Sequence, residues 1–260
     1  MIIRNDQELS ALKEIGRICA LVRDEMAKAT RPGITTLELD LIAAQIFAKN
    51  GAKSAPMGEY DFPGYTCISI NDVVAHGIPS DYVIQAGDKV NIDVSASKNG
   101  YFADTGVTLN VPPVSDKAKK LQDVAKKAMY KAIEKAMPGT MSNNLGRAVY
   151  NEAKVNGFTV IRNLTGHGVG LTLHDDPENI FNYNERRGAI LLKTGHVLAI
   201  ETFISEKDDY IEEYEDGWTL KTPRGNHVYQ FEHTVVVTPE GPMILTNGEE
   251  ADFYDPFLIP

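Results

Sequence analysis

A chain of 260 residues with 43% hydrophobic and 24% charged residues is long enough to bury a sizeable core, in one large domain or two small ones. Its net charge of −10 argues against a general nucleic-acid binder, because such affinity comes mainly from phosphate contacts. The opening "MIIRNDQELS" lacks the basic-then-apolar order of a secretory signal, and no window approaches the roughly 18 apolar residues of a membrane span, so a cytoplasmic location is expected.

The first predicted element is an amphipathic helix. In "NDQELSALKEIGRICALVRDEMAKAT" the residues Leu9, Leu12, Ile15, Cys19, Val22 and Met26 recur at three- and four-residue spacing, with Asn5 or Asp6 as the cap. Cys19 and the later Cys67 have neither metal-ligand spacing nor the density of a disulfide scaffold, so both are expected as buried thiols. Pro32-Gly33 breaks the chain. Thr35 and Glu38 then have capping-box spacing for a second helix that ends near Asn50-Gly51.

The strand region "VNIDVSASKNGYFADTG" carries two aspartates, Asp93 and Asp104, in segments where aspartate is normally depleted. Asn99-Gly100 predicts a two-residue type I′ hairpin, which pairs Lys98 with Tyr101 and Ser95 with Asp104. Asp93 shares a face with Ser95, so the two acids become diagonal neighbours about 7–8 Å apart between backbones. A one-residue bulge would place them on opposite faces.

The rest of the chain repeats this plan. A charged amphipathic helix is expected from Asp116 to about Ala136; Pro138-Gly139 lies 106 residues after Pro32-Gly33, and Asn156-Gly157 lies 106 after Asn50-Gly51. "GDKVNID" matches "GHVLAIE", which makes Asp93 and Glu201 equivalent at an offset of 108. "YFADTGV" matches "YQFEHTV", which makes Asp104 and Glu232 equivalent at an offset of 128. The added residues fall in an acidic stretch where Asp216-Gly217 suits a hairpin turn. The expected architecture is one α+β domain over residues 1–260, with internal repeats of roughly 6–110 and 116–240 and a pseudo-two-fold axis.

Glu201 and Glu232 are therefore expected to form a second acidic pair facing the first. Four carboxylates so placed repel one another severely unless cations neutralise them. Separate salt bridges would explain one strand acid better than four in matched pairs. Three of the histidines stand beside glycines or at strand ends, where they can reach into a cleft: His76 in "VVAHGIP", His167 in "LTGHGVG" and His174 in "LTLHDDP". His196 and His227 are expected in solvent, and His233 on the face opposite Glu232. "GHGVG" lacks the βαβ context of a dinucleotide loop, and no GxSxG, HExxH or P-loop string occurs. Four carboxylates and an imidazole suit Mn, Fe, Co or catalytic Zn, and bridging carboxylates hold two metals about 3.5–4 Å apart in two-metal hydrolases.

The ordered set "SINDVVAHGIP", "VNIDV", "ADTG", "TGHGVGLTLHDDP", "AIETF" and "QFEHTVVVT" resembles the type I methionine aminopeptidases of the pita-bread metallopeptidase family, over nearly the whole chain. The resemblance implies a pita-bread fold, an antiparallel sheet with helices on its outer face, and a metal-dependent hydrolase that removes N-terminal methionine from nascent polypeptides. It implies two divalent metal ions (Co, Mn, Fe or Zn) on Asp93, Asp104, His167, Glu201 and Glu232, with Asp104 and Glu232 bridging. Glu201 would also take a proton from the attacking water, His174 would steady the tetrahedral oxygen and His76 would contact the scissile amide. Phe62, Cys67, His76 and Trp218 match the pocket for the first side chain. The chain departs from the family at Pro56, Glu59, Ala75, Leu173 and Thr202-Phe203, of which Leu173 and Glu59 are also assigned to the pocket, although Glu59 has solvent as its alternative. Competing possibilities are an altered first-residue specificity, such as Xaa-Pro, and a non-catalytic binding module on the same fold. Expected partners are a peptide or nascent-chain N-terminus, with no nucleic-acid substrate and no membrane, for a monomer; ribosome association is left open.

Overall fold

The computed structural model describes residues 1–248 and the backbone of Asp252–Phe253. The C-terminal segment 249–260, for which the sequence leaves docking on the body or on a partner open, lies outside the described residues apart from that backbone. The helix α1, Asp6–Ala29, starts where the Asn5 side chain accepts from the Glu8 N–H at 2.9 Å and stops just before Pro32. It buries Leu12, Ile15, Cys19, Val22 and Met26, and each large aliphatic side chain so buried contributes about 1.5–3 kcal/mol. The helix α2, Thr36–Asn50, carries the Thr35/Glu38 capping box and ends on Gly51 in the left-handed region.

Next come β1, Lys53–Ser54, the short helix α3, Ala55–Tyr60, and the strands β2, Cys67–Ile70, and β3, Val73–Ala75. The long hairpin β4, Lys89–Lys98, and β5, Tyr101–Asn110, follows. Asn99 and Gly100 both have positive φ, as a type I′ turn requires, and the ladder runs without a bulge, so Ser95 pairs with Asp104. β4 has β5 on one edge and β1 and β2 on the other, with α1 packed across the β4–β5 face and α2 beside it.

The second half opens with α4, Asp116–Ile133, which ends three residues short of the expected Ala136, and α5, Asn143–Val155. Met141 stands where the first half has Thr35, and α5 has no side-chain cap. Its strands are β6, Thr159–Val160, β7, Thr165–Gly168, β8, Asp175–Phe181, β9, Val197–Ser205, β10, Glu212–Glu213, β11, Leu220–Lys221, β12, Val228–Thr238, β13, Gly241–Ile244, and β14, Asp252–Phe253. One sheet has the order β14-β13-β12-β9-β7-β8, with α4 packed on β9 and β12. The short β10–β11 ladder extends β3. Its connection is longer than a two-residue turn: Tyr214 donates across it to Thr219 O, and the Asp216 carboxylate accepts from the Trp218 and Thr219 N–H groups.

The halves differ in register. Glu201 pairs directly with Glu232, whereas Asp93 pairs with Gly106 and meets Asp104 only diagonally, a slip of two residues. Among the described residues no ladder joins β5 to β12, although they lie side by side. Threonine hydroxyls join them instead. Thr234 Oγ1 accepts from the Asp104 N–H and donates to its carbonyl, both at 2.8 Å, Thr105 Oγ1 donates to Glu232 O, and Thr108 Oγ1 donates to Gln230 O. His233 does face away from Glu232, with Nδ1 on Thr246 Oγ1 and its ring near Tyr130 of α4. His196, expected in solvent, is instead buried, because Ile2 pairs beside it and its Nδ1 accepts from the Lys193 N–H. His227 is half-buried.

Candidate active site

The acids are brought together on the sheet faces opposite the helices. β4 supplies Asp93, β5 Asp104, β9 Glu201 and β12 Glu232, while His167 comes from β7, whose Ala199 partner lies on β9. Single ligand atoms of Asp104, His167 and Glu232 lie within 4.8 Å of one another. His167 Nε2 is 3.8 Å from both Asp104 Oδ2 and Glu201 Oε1. Its Nδ1 lies 2.8 Å from the Gly168 carbonyl, which can only accept, so Nδ1 carries the proton and Nε2 presents a lone pair to the acids. Burial lowers the His167 pKa to about 3, assisted by the neighbouring His174.

Burial pushes the Asp93 carboxyl up to about 6, even with a hydrogen bond from Asp104 favouring its charged form. Burial, and then the neighbouring acids, push Asp104, Glu201 and Glu232 well above the ordinary carboxylate range. Asp104 Oδ1 and Glu232 Oε1 are buried with no hydrogen-bond partner among the described residues. Two orphaned carboxylate oxygens, a neutral imidazole with an outward lone pair and, among the described residues, no ion pair to lysine or arginine make up an oxygen-rich donor set that a divalent cation fits.

Gln230 was not singled out by the sequence. Its Nε2 donates to Glu232 Oε2 at 3.1 Å and to Asp93 Oδ2 at 3.4 Å, so one amide links an acid of each half. The space it needs exists because residue 106 is glycine: a Cβ there would sit 2.1 Å from Gln230 Oε1. The signal was available, since Gln230 is two residues before Glu232 and therefore on the same face.

The acids floor a cleft of about 450 Å³. Phe62, Cys67, His76, Leu173, His174 and Trp218 line it, with Phe62 and Trp218 in edge-to-face contact at 5.3 Å. His76 has φ 53, a strained value for a non-glycine residue, and Gly77 after it lies so close to Ile68 that a Cβ would meet that carbonyl at 2.3 Å. Pro56, Ala75 and Phe203 also face the cleft, whereas the buried Thr202 hydroxyl donates to Ala125 O on the helix side. Glu59, assigned to the pocket by the sequence, is not in its wall. It is exposed on α3, and Tyr60 lines the cleft in its place, since successive helical side chains diverge by about 100°.

The pattern of Metallopeptidase family M24 matches residues 10–239. The chain belongs to metallopeptidase family M24. Among relatives in this family, the methionine aminopeptidase of Staphylococcus epidermidis is 51% identical over 251 residues, covering 96% of this chain and all of that protein. Methionine aminopeptidase 2 of Bacillus subtilis is 50% identical over 247 residues, covering 95% of this chain and 99% of its own. The crystal structure of methionine aminopeptidase from Thermotoga maritima superposes with a TM-score of 0.91 at 35% identity, over 95% of this chain and 99% of that one. The architecture is thus the pita-bread fold of the M24 enzymes, and divalent metal ions are the cofactor of this metallopeptidase. Among the described residues no helix is long and apolar enough to cross a membrane.

Proposed function

We propose that this M24 enzyme is a cytoplasmic, monomeric methionine aminopeptidase that acts on peptide and nascent-chain N-termini through two divalent ions held by Asp93, Asp104, His167, Glu201 and Glu232. The observation that carries it is the cluster of four acids and one imidazole, with Asp104, His167 and Glu232 buried, lining a cleft that also has an apolar wall. When bound, such ions supply Lewis-acid polarisation of the scissile carbonyl and a nucleophilic water at neutral pH. Glu201, one of the acids lining the cleft, accepts the proton of the attacking water and returns it to the departing amine. His174 donates an N–H to the oxygen that gains charge in the tetrahedral state, and His76 hydrogen-bonds the scissile amide.

Phe62, Trp218, Cys67, Leu173 and Phe203 form an apolar wall suited to an unbranched thioether, and the absence of Glu59 from that wall favours methionine over a basic first residue. A peptide series varied only in its first residue, assayed with Mn, Fe, Co and Zn, tests the assignment. Methionine is expected to lead in kcat/KM; preference for an acidic, basic or Xaa-Pro substrate would defeat it.

A further inference from the structure

We propose that Tyr60 is a positioning residue for His174, its phenolic hydroxyl holding the imidazole in the tautomer that presents Nε2–H to the substrate. The inference rests on the reading of the cleft as a peptidase site. Tyr60 Oη lies 2.6 Å from His174 Nδ1, with the two rings tilted by 53° and their centroids 5.6 Å apart. The His174 ring also packs against His167 at a centroid distance of 4.2 Å. The ring is therefore in contact with both His167 and the tyrosine hydroxyl.

The direction of the hydrogen bond follows from donor and acceptor strength. A phenol is a good donor, and its oxygen is a poor acceptor because its lone pair is drawn into the ring; an imidazole nitrogen with a free lone pair is a good acceptor. The partner of one ring nitrogen decides which nitrogen keeps the proton. With Tyr60 donating to Nδ1, the proton sits on Nε2, where it can meet an oxygen gaining negative charge. The opposite tautomer would aim a lone pair at that oxygen.

Core packing does not require this hydroxyl. Tyr60 is 43% exposed at the end of the short helix α3, and Asp61 after it adopts φ 57, turning the chain away from the helix. Neither residue type nor spacing marks Tyr60 in the sequence.

The test is Tyr60→Phe in protein labelled with 15N at histidine, read both by side-chain nitrogen shifts and by steady-state kinetics on a methionyl peptide. In the wild type, with or without Mn, His174 is expected to show a bare, hydrogen-bonded Nδ1 and a protonated Nε2. In Tyr60→Phe the tautomers are expected to mix, and kcat to fall about tenfold with KM nearly unchanged, the scale seen when the partner orienting an active-site histidine is removed. A wild-type His174 protonated at Nδ1, or a variant with unchanged shifts and unchanged kcat, would overturn the inference. If the wild type cleaved no peptide at all, the peptidase reading would fail while the nitrogen shifts still decided the role of Tyr60.

Discussion

Glu201 sits directly across one rung from Glu232 and 3.8 Å from His167 Nε2, and like Asp93 it is only half-buried where the acids line the cleft. That position suits proton transfer as well as ligation. Glu201→Ala is expected to lower kcat by about 10²–10⁴-fold, the range for loss of a positioned general base. The fold should survive, because deletion removes one of four mutually repelling carboxylates and leaves the core residues of β9 in place. Circular dichroism and turnover of a methionyl peptide measured on the same preparation decide this; near-wild-type turnover would remove Glu201 from the proposed mechanism. The acids and histidines were legible in the sequence because charge inside a strand, or imidazole beside glycine, is physically conspicuous. Gln230, Thr234 and Tyr60 were not: neutral polar residues are ordinary in strands and helix ends, and only the three-dimensional neighbours reveal what they orient.

At the scale of elements, the β4–β5 hairpin could be read to the residue, since Asn99-Gly100 fixes the turn and the turn fixes which side chains face together. No comparable local signal announced how the halves join. Part of that junction is Lys89, which is 1% exposed and whose Nζ on β4 donates to Val73 O of β3 at 2.8 Å and Val228 O of β12 at 3.2 Å. Burial lowers its pKa from 10.5 to about 7, partly offset by Asp72. A base whose folded-state pKa is depressed favours the folded chain only when neutral. The lysine therefore weighs against folding below about pH 7, and that penalty is relieved as pH rises from about 7 toward 10.5. Lys89→Met cannot titrate, so the wild type should gain stability relative to the variant across that window. Paired urea denaturation curves at several pH values measure the difference, and a difference that does not change with pH would refute the buried-amine account.

For the whole molecule, the consequence of bringing two acidic strand pairs together side by side is that the metal-free fold and the charged site oppose each other. Asp93 is raised from 3.8 to about 6, and Asp104, Glu201 and Glu232 are raised well above the ordinary carboxylate range, so each carboxyl holds its proton more tightly folded than unfolded. The sign follows from linkage: where the native state binds more protons, stability falls as pH rises. The metal-free protein is therefore expected to be most stable near the unfolded carboxyl pKa and to lose Tm as pH climbs through about 6. Divalent ions reverse this, since they take the charged carboxylates and displace those protons; at about a hundredfold excess over Kd they add about 2.7 kcal/mol. Thermal melts with chelator and with Mn, taken across this pH range, should thus diverge as pH rises, with the metal-dependent gain in Tm smallest on the acid side. A gain independent of pH would mean that the acids are ionised and compensated within the protein itself, and that the cluster is not held together by bound cations.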